Sequence, residues 1–300
     1  MGKADIITKA YMRENEVFAD AFNFMMYNGE PVIDAGKLKE LDVTEIAVPL
    51  VDEDTDDTLA VASGASESNG RKTGKQSPAE GAVQRYRDLL KSCIVMQDGK
   101  IAYVLLGIEN QTEVHYAMPV RNMVYDALQY ARQVNDVSAV HKKERTGGNR
   151  GAAKADMKIK FSESSKSSEH AASDLRDNAN RKMSRGEYLS GFYRDDKIIP
   201  VITLVVHFGA DNWDGPLSLY DMMSIKDETV LHFVQNYKIH LIDPSQLGEQ
   251  ELAKFHSSLR EVLGYIKYSK DKKKLAEFIH DNPRMNLPRE AAQVIQALTN

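Results

Sequence analysis

Apolar residues recur three and four apart at Val17, Phe18, Ala21, Phe22, Met25 and Met26. That is the spacing of one helix face, and Asn28-Gly29 supplies a stop. Ile101 to Ile108 and Ile198 to Phe208 are instead short continuous apolar runs, as expected of strands covered on both faces. Pro200 marks the start of the second run, and Lys238 to Ile242 predicts a last strand. Pro119 suits the first turn of a helix, whose apolar face would be Val120, Val124, Ala127, Ala131 and Val134. From Gln250 onward the pattern is helical and charged, with Phe255, Leu259, Val262 and Ile266 in step. Strands mixed with helices, and no internal repeat, indicate an α/β (α+β) fold.

Two tracts break this patterning. Residues 52–82 open on Asp52-Glu53-Asp54-Thr55-Asp56-Asp57 and continue through Ser63 to Gly70 in linker composition. The acidic run lacks the glycine and the closing glutamate of a calcium loop and reads as a solvated linker. Residues 142–182 are polar and basic, and too poor in apolar side chains to offset their own ordering entropy. Both are expected to be disordered insertions. They would interrupt a domain over residues 1–245, followed by a helical extension over 246–300.

Charge then changes the picture. The chain carries a formal charge of −5, mildly against a broad nucleic-acid surface. Yet the segment from His141 to Lys182 is net positive, so the average hides a more acidic remainder. A single cysteine, Cys93, excludes an internal disulfide framework and any multi-cysteine zinc site, and reads as core. No apolar run approaches the roughly 18–20 residues of a membrane helix, and no signal-like stretch follows Met1. A cytoplasmic protein with no membrane partner is expected.

The chemistry concentrates in a hairpin. Ser92 to Gln97 reads as a strand, Asp98-Gly99 is the strongest two-residue hairpin signal, and the apolar run follows from Lys100. Pairing Gln97 with Lys100 sets every opposed pair to sum to 197. Asp88 then falls opposite Glu109 as a non-hydrogen-bonded pair, with Cα atoms about 4.5 Å apart. Gln111 shares the face of Glu109. Two carboxylates side by side raise each other's pKa unless a cation sits between them, and a hard divalent ion suits such oxygens. A metal there would activate water and stabilise phosphoryl charge. The bland alternative is two exposed acids at a strand end.

Asp88 followed, 21 residues on, by Glu109-Asn110-Gln111 after an apolar strand resembles the PD-(D/E)XK nuclease core. More closely, the chain resembles the Rpn-type recombination-promoting nucleases, or YhgA-like putative transposases. The matching stretches are Phe18 to Asn23 with Tyr27-Asn28-Gly29, Arg87 to Lys91, Leu106 to Gln111, and Met118 to Arg121 with Tyr125-Asp126. Pro200 to Leu204 and Trp213 to Pro216 continue the likeness. The resemblance implies a restriction-endonuclease-like core with a mixed central sheet. It also implies a magnesium- or manganese-dependent DNA endonuclease associated with mobile elements and recombination. Asp88 and Glu109 would hold the metal, Gln111 would orient the attacking water, and Asp20 would add an outer carboxylate. DNA would be the partner, and cutting both strands favours a homodimer. Arg87 stands where many such nucleases have proline, and Gln111 where many have lysine. An amide cannot supply the positive charge of an ammonium, so the alternative is a weak or inactive nuclease fold that binds DNA or protein.

Among the remaining residues, Arg121, Tyr125 and Gln129 recur every four positions, as a polar stripe bordering the core or a phosphate-facing ridge, with Arg121 the best phosphate candidate. Glu113 and His115 are expected in solvent, His207 and His240 as satisfied core histidines, and Trp213 as the buried anchor of a turn.

Overall fold

The computed structural model describes residues 3–41, 44–47, 83–97, 100–145, 183–280 and 282–299. The chain forms two compact units, one of residues 1–45, 84–129 and 199–300, the other of residues 46–83 and 130–198.

The first unit is built on a five-stranded mixed sheet in the order β1-β4-β5-β6-β7. β1 (Lys39–Glu40) pairs antiparallel with β4 (Leu89–Gln97), which pairs antiparallel with β5 (Lys100–Gln111). β6 (Val201–His207) and β7 (His240–Ile242) continue the sheet in parallel. Two short strands, β2 (Thr44–Ala47) and β3 (Val83–Tyr86), form a separate sheet. The apolar runs read from the sequence are therefore strands, and the expected hairpin is β4–β5. Its Asp98-Gly99 turn lies outside the described residues, but Gln97 faces Lys100 and Leu89 faces Ile108, so the register sums to 197.

Alternation along β5 and β6 sorts the sheet into two faces. Val104, Leu106, Ile108, Leu204 and Val206 join the main core. That core includes Tyr11 and Met12 of α1 (Lys3–Arg13) and Phe18 and Phe22 of α2 (Asn15–Tyr27). It also takes in Phe255, Leu259, Val262 and Val294, so the segment from residue 246 onward packs into this same unit. The helix predicted over Val17–Tyr27 is thus α2, and it stops where expected. Asn28 is left-handed at φ 55° and Gly29 has φ 93°, where a Cβ would lie 2.8 Å from that of Lys254. Cys93 is buried in this core, where desolvation pushes its thiol up to about 11.

On the opposite face lies α3 (Met118–Arg145). Its first residue packs with Val205, Trp213 and Ile239. Here the expected apolar face is corrected. Val120 and Ala127 are exposed, whereas Asn122, Asp126 and Gln129 are buried. The buried stripe is polar because it meets a polar patch on the sheet, described below. The helix also runs on to Arg145, so the first residues of the expected insertion at 142–182 are helical; residues 146–182, and the expected insertion at 52–82, lie outside the described residues. The second unit contains the later part of α3 and α4 (Arg185–Ser190), which opens on a capping box between Ser184 and Glu187. Within that unit His141 lies 2.9 Å from Asp196 and stacks on Tyr193.

His207 is buried, its two ring nitrogens facing the carbonyls of Gln111 and Asp211. His240, by contrast, is exposed, correcting the expectation of a core histidine, because β7 is a short edge strand. Trp213 is buried and donates to the Gly215 carbonyl, anchoring its turn as expected. Among the described residues no helix is long and apolar enough to cross a membrane.

Candidate functional site

The open end of the β4–β5 hairpin brings Asp88 and Glu109 together. β4 begins at Leu89, so Asp88 stands one step before the strand, opposite Glu109. There the carboxylates take over from the backbone ladder. The Asp88 N–H donates to Glu109 Oε1 at 3.2 Å, and the Asn110 N–H donates to Asp88 Oδ2 at 2.9 Å. Each acid thus clasps the main chain of the other's strand, which holds both side chains to one place.

Glu109 has no exposed surface, and Asp88 is 9% exposed. Burial, and then the charge of Asp88, raise the Glu109 carboxyl to about 8, against the opposing pull of Arg121, Arg87 and the Asp88 N–H. Arg121, in the first turn of α3, places a guanidinium nitrogen 3.0 Å from Glu109 Oε2. That oxygen nevertheless accepts no aligned hydrogen bond, so the contact is an ion pair and the oxygen keeps a free lone pair. Arg121 is steadied by donating from Nε to the Tyr125 hydroxyl at 3.2 Å. On α1, Lys9 lies 3.7 Å from Asp88 Oδ1. Lys9 was missed from the sequence, where it is an ordinary helix lysine.

Gln111 follows Glu109 on the same face by strand alternation, but its amide donates back to the Asn110 carbonyl at 2.9 Å. Asp20 is not brought to the pair. Its carboxylate accepts from the backbone of His256 (3.0 Å) and Ser257 (2.8 Å) and from the Ser257 hydroxyl (2.6 Å). Asp20 therefore fastens α2 to the chain before the helix Leu259–Tyr268. In place of the expected outer-carboxylate role, Asp20 takes three donors from another segment and serves as a structural anchor. Glu113 is exposed, and Tyr125 and Gln129 lie on the buried side of α3, so the polar stripe borders the core and, of the three, only Arg121 reaches outward.

Arg87, which follows β3 directly, is fully buried on the α3 face. It donates to the Thr203 hydroxyl at 2.6 Å and to Asp126 at 3.0 Å, while the Tyr237 hydroxyl donates to the other Asp126 oxygen at 2.6 Å. Gly107 makes this possible, since a Cβ there would lie 2.0 Å from an Arg87 nitrogen. A glycine inside an apolar strand marks a close approach, and that was the available signal for Arg87.

The donor set fits a hard divalent ion: two adjacent carboxylates, with Glu109 Oε2 buried yet without a hydrogen bond. Among the described residues there is no group of three or more His, Cys, Asp and Glu that could hold a metal, so water would complete the ion's coordination.

The family model described as putative transposase, YhgA-like, matches residues 161–289. The matched span holds Thr203 and Tyr237, which brace Asp126, and begins after the pair formed by Asp88 and Glu109, which it does not include. No curated protein and no solved structure matches the chain. The match over β6, β7 and the helices after them meets the resemblance carried by the hairpin motifs: over residues 161–289 the chain is similar to the YhgA-like putative transposases.

Proposed function

We propose that the chain is a metal-dependent DNA endonuclease whose centre is Asp88 and Glu109. The observation that carries this reading is the reciprocal clasp of the two carboxylates, which keeps two acids together that would otherwise repel. Asp88 and Glu109 would hold the ion, magnesium or manganese. When bound, such an ion supplies a water of lowered pKa and stabilises charge on a phosphoryl oxygen. Glu109 Oε2 offers the free lone pair, and Asp88 is held in aim by the Asn110 N–H. Gln111 stands beside them on the same face to orient water, and Arg121 is within reach of a phosphate near the pair.

Supercoiled plasmid incubated with Mg²⁺, Mn²⁺ or EDTA, with wild type beside Glu109→Ala, tests this directly. Cleavage in either ion, absent with EDTA and reduced at least about 100-fold by the substitution, is expected. A Glu109→Ala protein cutting as fast as the parent would sink the assignment.

A second reading, a nuclease fold that binds DNA or protein without cutting, is favoured by a separate observation. Both carboxylates already face a basic side chain, and the Gln111 amide is turned onto its own strand. The same plasmids distinguish it: DNA bound but uncut under every ion supports the second reading.

A further inference from the structure

We propose, resting on the metal-site reading above, that Arg121 is an exchangeable counter-ion: it neutralises Glu109 while no metal is bound and passes to a DNA phosphate when a divalent ion takes over that charge. Two cations sit against the pair, Arg121 on Glu109 and Lys9 on Asp88. With both carboxylates ionised, as in alkaline buffer, two negative groups and two basic groups balance. A divalent ion brings the same charge as those two groups together, so its entry releases both of them at the mouth of the site. A phosphodiester backbone is the anion that such released charges suit.

The structure separates a fixed arginine from a movable one. Arg87 is fully buried and held by Thr203 and Asp126. Arg121 has about a third of its side chain exposed (32%), against none for Glu109, so it spans from the buried oxygen to solvent. Its grip on Glu109 is an ion pair without an aligned hydrogen bond, weaker than the bidentate fork that arginine forms when it is meant to stay. Its Nε remains tied to Tyr125 at 3.2 Å, which gives the guanidinium a pivot one helical turn away. Because coupling between two ligands is reciprocal, an ion that frees Arg121 for DNA makes bound DNA favour the ion.

The test is the affinity for a short fluorescent DNA duplex, measured by anisotropy in EDTA and alkaline buffer. Wild type, Glu109→Gln, Arg121→Gln and the double variant form a cycle. Releasing Arg121 by Glu109→Gln is expected to tighten binding roughly 3- to 10-fold in the wild-type background and hardly at all in Arg121→Gln. Equal tightening in both backgrounds shows a general charge effect and overturns the proposal, as does no tightening in either. Calcium, added in place of EDTA, is expected to tighten binding by wild type more than by Arg121→Gln. Calcium that changes neither removes the metal site itself. Calcium acting equally on both leaves the site standing and overturns the role of Arg121. Arg121→Met, which keeps the stem packed by Tyr125, replaces Arg121→Gln if circular dichroism shows the latter unfolded.

Discussion

Glu109 carries an energetic cost that its neighbours only partly offset. An isolated carboxyl titrates near 4.5, whereas this one is raised to about 8 by burial first and Asp88 second. Between those values the folded chain binds a proton that the unfolded chain has lost. Stability therefore falls as pH rises through that window, by on the order of a few kcal/mol from this group. Glu109→Gln should flatten that slope, and urea denaturation on either side of the window measures it. An unchanged slope would show that Glu109 stays ionised throughout. Asp88 and Glu109 were legible as neighbours in the sequence because both sit on one hairpin. What each touches beyond the hairpin was not, since Arg121 and Lys9 reach the pair from two separate helices.

At the scale of elements, α3 shows how a tertiary contact overrides a hydrophobic pattern. Its apolar residues suggested one face, but Asn122, Asp126 and Gln129 are buried instead. The cause is Arg87, a buried guanidinium laid over Gly107 that requires a carboxylate and a hydroxyl above it. Burying Asp126 beside Arg87, Thr203 and Tyr237 satisfies that need, and no burial of Val120 would. Asp126→Ala should accordingly destabilise the fold by about 3–5 kcal/mol, since it strands the Arg87 charge. The midpoint of chemical unfolding reads this out, and a loss below about 1 kcal/mol would refute the account. The strands were more legible than the helix faces, because an apolar run reports burial on both sides while a helix stripe depends on its partner.

Across the whole chain, the beginning and the end share a core with the central sheet. α1, α2 and the helices after residue 246 pack together, and Asp20 joins segments separated by 236 positions. The Asp88–Glu109 pair is attached to this framework through Leu89 and Ile108, both fully buried. Ion binding at the pair should therefore stabilise the unit as a whole. Saturating Mn²⁺ is expected to raise the thermal midpoint of wild type by several degrees and to leave Asp88→Ala unmoved, as differential scanning calorimetry would record. Equal shifts in both proteins would place the ion elsewhere. The net charge of −5 now has a local meaning. Two of the acids behind it are drawn together at the hairpin, each already beside a basic side chain, so the chain-wide average says little about the site.

The sequence alone determined the hairpin, its register and hence the meeting of Asp88 with Glu109. Those follow from a two-residue turn and a period of two, which are local and leave little freedom. Only the tertiary structure decided that Asp20 anchors His256 and Ser257, that α3 buries its polar side, and that Arg121 lies against Glu109. Each of those depends on which distant group supplies the compensating charge or hydrogen bond to a buried one. No spacing within a single segment encodes that choice.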